Sequence, residues 1–313
     1  MHNSTVLPFG SLIAAILLAV MPARADGDRS SPPLSVSRVA GDVWLVSGTG
    51  GNVAALVGAE GTALIDSQFA PLAPKILAAL VDGGAPASPV RFVVSTHWHW
   101  DHTDGNPFFS GRGAAVVAQD SVRRRLADSS GFGNRASVRY AGKPPTPGVL
   151  PVLTFGHDAT LFLNGEEVHA VHFPSAHTDG DVVVFFRRAN VVHTGDIFVR
   201  YGFPFIDLET GGSIDGMIDA CRRLLAMIPA DARIVPGHGD VASTSDLREY
   251  LAMLEQTREA VTSGIAAGKS LETLKRDRVL DRWNARYSGD FISTDAFVET
   301  LFHSVQSSQP QQP

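Results

Sequence analysis

Thr96-His97-Trp98-His99-Trp100-Asp101-His102, set directly behind Arg91-Phe92-Val93-Val94-Ser95, is the stretch from which the rest of the chain can be read. The apolar, β-branched run at 91–95 predicts a strand that leads straight into the histidines. In extended backbone, residues two apart point to the same side. His97 and His99 can therefore grip one ion together, while Trp98 and Trp100 between them pack into protein. Thr103-Asp104-Gly105-Asn106 then turns the chain, so that Asp101 and His102 can aim at a second ion. Imidazole and carboxylate suit zinc, and histidine-rich sites with an open position are those of catalytic zinc. A lone histidine beside a glycine is ordinarily a turn or core residue. Four ligand-type side chains within six positions point instead to a metal.

Three segments further along have matching character: His177 in Ser-Ala-His-Thr-Asp-Gly-Asp, Asp196 in His-Thr-Gly-Asp, and His238 in Pro-Gly-His-Gly. Glycine stands close to each, which lets backbone approach a ligand. Taken singly, each fits a structural turn equally well. Taken together with the cluster, five histidines and two carboxylates could fill two zinc sites, with Asp196 bridging them.

Around these points the hydropathy pattern predicts short strands at 43–46, 53–57, 62–65, 114–118, 161–163, 168–171 and 233–235, with a hairpin formed by 181–186 and 190–193. Helices are predicted at 71–81, 120–126, 214–228 and 246–261, and a helical tail over 271–305. Residues 128–150, rich in glycine, proline and serine, form a long loop. Two β-rich halves, each wrapped by helices, make a four-layer αββα sandwich of the α/β class. His97, Asp196 and His238 fall just past the carboxyl ends of strands, where loops on a rigid sheet carry sites.

The string from Thr96 to His102, followed in order by His177, Asp196 and His238, resembles the metallo-β-lactamase superfamily over about residues 36–262. The resemblance implies that His97, His99 and His177 hold a first zinc, that Asp101, His102 and His238 hold a second, and that Asp196 bridges them. It also implies that Asp66, behind Leu64-Ile65, orients the histidine loop, a position that a simple turn aspartate could equally occupy. His193 is the best further candidate for such an outer role. The implied chemistry is attack by a metal-bound hydroxide on an acyl carbonyl of a small molecule, with Asp101 as catalytic residue orienting the hydroxide and carrying its proton. Hydrolysis of a β-lactam ring is an alternative. Against it, subclasses of the β-lactamases carry cysteine or serine where Asp196 stands, and the glycine common before the third histidine is Ala176 here. Two other classes are a mononuclear iron dioxygenase and a non-catalytic zinc-binding protein. His99 argues against the flavodiiron pattern, and no Gly-x-Ser-x-Gly nucleophile motif competes with metal-activated water.

Tyr201, Phe203 and Ser213 lie in the aromatic, glycine-rich stretch after Asp196 and are candidates to bind substrate. Gly48 to Gly51 fits a turn, or a flap over the site. The 313 residues carry a net charge of -6, with no basic run beyond Arg123-Arg124-Arg125, so nothing suggests a nucleic-acid partner. Residues 1–25 fit a signal peptide: the apolar run 12–20 is too short to span a bilayer, and Ala23-Arg24-Ala25 fits a cleavage site. Residues 26–36 are expected as a leader, 37–265 as the metallo-β-lactamase-like domain, and 266–313 as a helical extension with a disordered tail. The protein is then periplasmic or secreted, without stable membrane insertion after cleavage. Its single cysteine, Cys221, rules out an internal disulfide and lies on an apolar helix face.

Overall fold

Strand β2 (Val43–Ser47) shows why the fold has layers. Successive side chains of a strand point to opposite faces. Val43 and Leu45 join one buried cluster and Trp44 and Val46 another. A strand that is apolar on both faces must be covered on both. The computed structural model, which describes residues 34–128, 145–289 and 291–308, shows how this is done.

Seven strands follow one another across the first sheet: β1 (Ser35–Ala40), β2, β3 (Val53–Gly58), β4 (Gly61–Ile65), β5 (Val90–Val94), β6 (Ala115–Gln119) and β7 (Leu153–Phe155). The first four form an antiparallel meander, and β4 to β7 run parallel. Parallel strands need crossovers. These carry α1 (Ala73–Asp82), the short α2 (Trp100–Thr103) and α3 (Asn106–Ser110), and α4 (Asp120–Ala127). The second sheet has the order β12 (Arg233–Val235), β11 (Val191–His193), β10 (Val182–Phe186), β9 (Glu166–His172), β8 (Asp158–Leu163). The predicted hairpin is present, with Phe186 paired to Val191. β11 and β12 are parallel across α5 (Ile214–Met227), after which come α6 (Thr244–Ala266), α7 (Leu271–Arg276), α8 (Asp281–Tyr287) and α9 (Thr294–Ser308).

Ala54, Leu56 and Ile65 of the first sheet meet Val182, Val184 and Phe186 of the second in the central core. On the far face of the first sheet, Ile76 and Leu80 of α1 cover Ala55, Leu64 and Val93. On the far face of the second, α5, α6 and α9 cover Val183, Phe185 and Val192. The result is the expected αββα sandwich. Burying each of these large apolar side chains contributes about 1.5–3 kcal/mol.

Two boundaries differ from expectation. Ser35 and Val36, assigned to the leader, begin β1, where alternation is weak because the strand lies at the sheet edge. The helical tail is three helices, α7 to α9, separated by the connections that end at Leu280 and Ser293. It is no appendage: Phe297, Val298, Leu301 and Val305 of α9 share one core with α5 and α6. The signal peptide, most of the leader, residues 129–144 of the long loop and the tail from 309 lie outside the described residues. Among the described residues, no helix is long and apolar enough to cross a membrane.

Candidate metal centre

The seven candidate ligands converge at one end of the sandwich. His97 and His99 follow β5, His102 stands on α2, His177 lies between β9 and β10, Asp196 follows β11 and His238 follows β12. Glycines make the convergence possible. A Cβ on Gly51 would lie 2.1 Å from His102 Cε1, and one on Gly237 would lie 1.9 Å from Asp196 Oδ1. Only a residue without a side chain lets these loops lie flat against the ligands. Gly51 N also donates to Asp101 O at 3.1 Å, and Gly50 N donates to Gln68 Oε1 at 2.9 Å. The glycine stretch is therefore pinned in place as a turn.

Ligand atoms fall into three overlapping groups: His97, His99 and His177; His97, His102 and Asp196; and Asp101, His102 and His238, the atoms of each lying within 4.8 Å of one another. In the first, His99 Nδ1 and His177 Nε2 are 2.8 Å apart. In the third, His238 Nε2 lies 3.2 Å from Asp101 Oδ2 and 3.3 Å from His102 Nε2. Asp196 stands between them: Oδ1 is 3.2 Å from His102 Nε2, and Oδ2 is 3.5 Å from His238 Nε2 and 3.8 Å from His177 Nε2.

The outer nitrogens of four histidines are already committed. His102 Nδ1 meets Asp66 Oδ2 at 2.7 Å, His99 Nε2 meets Asp207 Oδ2 at 3.0 Å, and His177 Nδ1 meets the Phe205 carbonyl at 2.8 Å. His97 Nδ1 meets Thr96 Oγ1 at 3.0 Å, and that hydroxyl in turn donates to Asp66 Oδ2 at 2.8 Å. Acceptors at these positions fix each proton on the outer nitrogen. The inner nitrogens then carry lone pairs, and those of His99 and His177 face each other. Among the described residues, His97 Nε2 and Asp196 Oδ1 are buried without an aligned hydrogen-bond partner. Facing lone pairs and orphaned buried acceptors are unfavourable unless a cation lies among them. The donor set thus fits metal.

Electrostatics agree. Burial, reinforced by neighbouring histidines, holds His97 well below the ordinary imidazole value, and burial lowers His177 to about 4. Burial opposes a charge on His238 too, but Asp196 and Asp101 overcome it and raise it to about 9. Burial likewise opposes ionisation of Asp196 and Asp101, yet the adjacent histidines hold both below the carboxylate range. Without metal, the carboxylates retain protons on His102 and His238 in the place of a cation.

Asp66 is fully buried with φ at 67°, and its Oδ1 also accepts from Thr96 N at 2.7 Å. Its carboxylate thus ties the end of β4 to Thr96 and His102 of the histidine loop. His193 does not touch the Asp196 carboxylate: its Nδ1 accepts from Gly195 N and its Nε2 donates to Asn52 O, both at 3.1 Å, so it holds the Asp196 turn by its backbone. Tyr201 packs edge-on to His238, with ring centroids 5.4 Å apart. Two substrate candidates are displaced. Phe203 is fully buried and stacks on Phe297 at 4.5 Å, because the loop folds this ring inward against α9. Ser213 caps α5, accepting from Gly216 N and donating to Ser175 O, so its hydroxyl is spent on a helix end.

Asp207 was not singled out from sequence. It sits within the aromatic, glycine-rich stretch and begins a turn, where aspartate is common for purely local reasons. Asp181 is similar. It accepts from His177 N, Thr178 N and Thr178 Oγ1, and it fixes the His177 loop although burial raises its carboxyl to about 8.

The model of the metallo-beta-lactamase superfamily matches residues 46–259, and the chain belongs to that superfamily. The lactamase-like protein aptB of Emericella nidulans is 24% identical over 185 residues, 55% of this chain and 50% of its own length. The chain therefore spans half of that relative. The alpha subunit of 2,4-dinitroanisole O-demethylase from Nocardioides sp. is 19% identical over 77% of this chain and 68% of that protein. Among solved structures, a metallo-beta-lactamase from Pontibacter korlensis superposes with a TM-score of 0.58 at 22% identity, covering 71% of this chain and 99% of that one. The sec-alkyl sulfatase PisA1, as a double mutant, superposes with a TM-score of 0.66 at 13% identity over 90% of this chain and 51% of its own. These likenesses show the fold.

Proposed function

We propose that this protein is an exported dinuclear zinc hydrolase that attacks an acyl carbonyl of a small molecule. One observation carries the reading: two three-residue ligand groups meet at Asp196, and His97, His99, His102 and His177 have their outer nitrogens tied to acceptors so that the inner ones face the shared site. His97, His99 and His177 would hold the first zinc, Asp101, His102 and His238 the second, and Asp196 both. Bound there, zinc supplies an activated water and a Lewis acid for a carbonyl oxygen. The protein's own residues do the rest. Asp101, whose side chain is 22% exposed, is the most accessible carboxylate of the set. It would take the proton of the attacking water and return it to the leaving group. The Asp66 and Asp207 carboxylates keep the imidazoles in the ligating tautomer throughout. Export is supported by the apolar run at 12–20 with Ala23-Arg24-Ala25 behind it.

The test is metal counting alongside turnover. Purified protein is assayed on a cephalosporin, a lactone, a glutathione thioester and a phosphodiester, before and after chelation and after zinc is restored. Two zinc ions per chain are expected, with acyl hydrolysis lost on chelation and regained with zinc. Hydrolysis that persists in metal-free protein overturns the proposal. Iron in place of zinc, together with oxygen uptake, replaces it with the dioxygenase reading.

A further inference from the structure

We propose that Phe291, in the connection between α8 and α9, completes the substrate pocket by joining Tyr201 and Phe205 in an aromatic wall that takes a flat apolar group of the substrate. The inference rests on the proposed hydrolase site and names the kind of molecule it accepts. Phe291 lies beyond residues 46–259, which the superfamily model matches, whereas Tyr201 and Phe205 lie within them.

Ring contacts trace the wall from the ligands outward. Phe205 lies 5.8 Å from the His99 ring and 5.9 Å from the His177 ring, and Tyr201 lies 5.4 Å from the His238 ring. Phe291 meets both: its centroid is 5.4 Å from Tyr201, edge-on, and 6.5 Å from Phe205. The wall therefore stands against ligands of both metal groups. It is also anchored. Phe203 N donates to Tyr287 O at 2.7 Å, and a Cβ on Gly202 would lie 2.5 Å from that same carbonyl, so the loop after Asp196 packs tightly on the end of α8. The Phe203–Phe297 stack pins the loop to α9, and Phe205 N donates to the Tyr201 hydroxyl at 3.3 Å.

Phe291 is nevertheless 58% exposed. Isolated exposed apolar residues are ordinary. This one differs because its inner edge is already in contact with rings that touch the ligand histidines, which leaves its outer face to a ligand. Aromatic rings prefer edge-to-face and offset partners, so the exposed part of Phe291 favours an aromatic or alicyclic group. The substrate class is an acyl compound whose acyl or leaving group carries such a ring.

The experiment separates binding from turnover. Zinc-loaded full-length protein, with Phe291→Ala, Phe291→Leu and Phe291→Trp variants, is titrated calorimetrically with naphthalene-2-carboxamide, a neutral flat probe. Val81→Ala, at an exposed apolar position on α1, is the control. Phe291→Ala should weaken the probe about tenfold, Phe291→Leu less, Phe291→Trp little, and Val81→Ala not at all. For phenylacetyl and acetyl substrates with the same scissile bond, the ratio of kcat/KM should fall about tenfold in Phe291→Ala. Unchanged probe affinity in Phe291→Ala or Phe291→Leu protein of native metal content and melting temperature overturns the inference, as does the absence of probe binding to the wild type. If no substrate is hydrolysed, the hydrolase reading fails, and the probe titration still decides the wall.

Discussion

Asp66→Asn exchanges one carboxylate oxygen for an amino group of similar size, and its effect can be followed atom by atom. Thr96 N donates to Oδ1 at 2.7 Å, so the amide oxygen must occupy that position. The amino group then faces His102 Nδ1 at the Oδ2 position, where the present distance is 2.7 Å. Two N–H groups cannot share that contact. His102 relieves the conflict by moving its proton to Nε2, which points at Asp196 Oδ1 3.2 Å away and then has no lone pair for a metal. Asparagine tolerates positive φ well, so the backbone at 67° adds no strain. The first ligand group, His97, His99 and His177, is reached only through Thr96 Oγ1, which loses Oδ2 as its acceptor but can still accept from His97 Nδ1. Loss of such an outer partner costs about 10–100-fold in metal affinity, or about 1.4–2.7 kcal/mol. The fold loses about 1 kcal/mol, the value of one hydrogen bond. The assay is zinc titration of metal-free protein against a competing chelator, with a thermal melt of the same sample. One zinc should bind as in the wild type and the other 10–100-fold more weakly, while Tm falls by about 2–4 °C. Two unchanged affinities, or weakening of both sites alike, would refute the tautomer argument.

Asp207→Asn makes the same exchange on the other group: with Thr210 N donating to Oδ1 at 3.3 Å, the amino group meets His99 Nε2, and the first zinc should be the one weakened. In a double variant with Asp66→Asn both sites should be weakened, and because both groups meet at Asp196 the losses should depart from simple addition in the same titration. Gly51→Ala places a Cβ 2.1 Å from His102 Cε1, so the ring or the loop must shift, and metal analysis should find one zinc per chain rather than two. Metal-free protein should be most stable near pH 6.5. His177, lowered to about 4, adds stability that is present above the unfolded value and is lost as pH falls through about 4. His238, raised to about 9, adds stability that is present below the unfolded value and is lost as pH rises through about 9. Each shift is worth up to about 3 kcal/mol. Urea melts at pH 4, 6.5 and 9 check this, and a flat profile would contradict it.

The layers were legible because β2, β3 and β4 are apolar on both faces and the helices carry one-sided stripes, a signal written in residue type and period. The candidate ligands were legible as a cluster because histidine and aspartate crowd at 97–102, a density that packing alone does not require. Their acceptors were not. Asp207, Thr96 and the Phe205 carbonyl are defined by where loops from distant parts of the chain arrive, and a backbone oxygen leaves no mark in sequence at all. Phe203 and Phe205 show the limit most sharply. Two phenylalanines two apart looked alike on paper, yet one is committed to α9 and the other to the histidines, because the loop runs through the interface with the C-terminal helices.

That interface and the ligand loops share one principle: the site is bonded across the two sheets independently of the candidate ligands' inner nitrogens. Asn52 N donates to Gly237 O at 2.7 Å, and Asn52 Nδ2 donates to Pro236 O at 3.0 Å and Gly239 O at 2.7 Å, so the loop between β2 and β3 carries the loop that holds His238. His193 returns a bond to Asn52 O, and Val182 N donates to Thr96 O at 2.7 Å, joining the start of β10 to the histidine loop. The inner nitrogens are thus brought together at a cost met by backbone hydrogen bonds and core packing, whose formation does not wait on a cation. A preformed site binds metal without first ordering its ligands, and it also explains why buried acceptors such as His97 Nε2 can be left bare. The fold holds them there against their own repulsion, in an arrangement compatible with a cation.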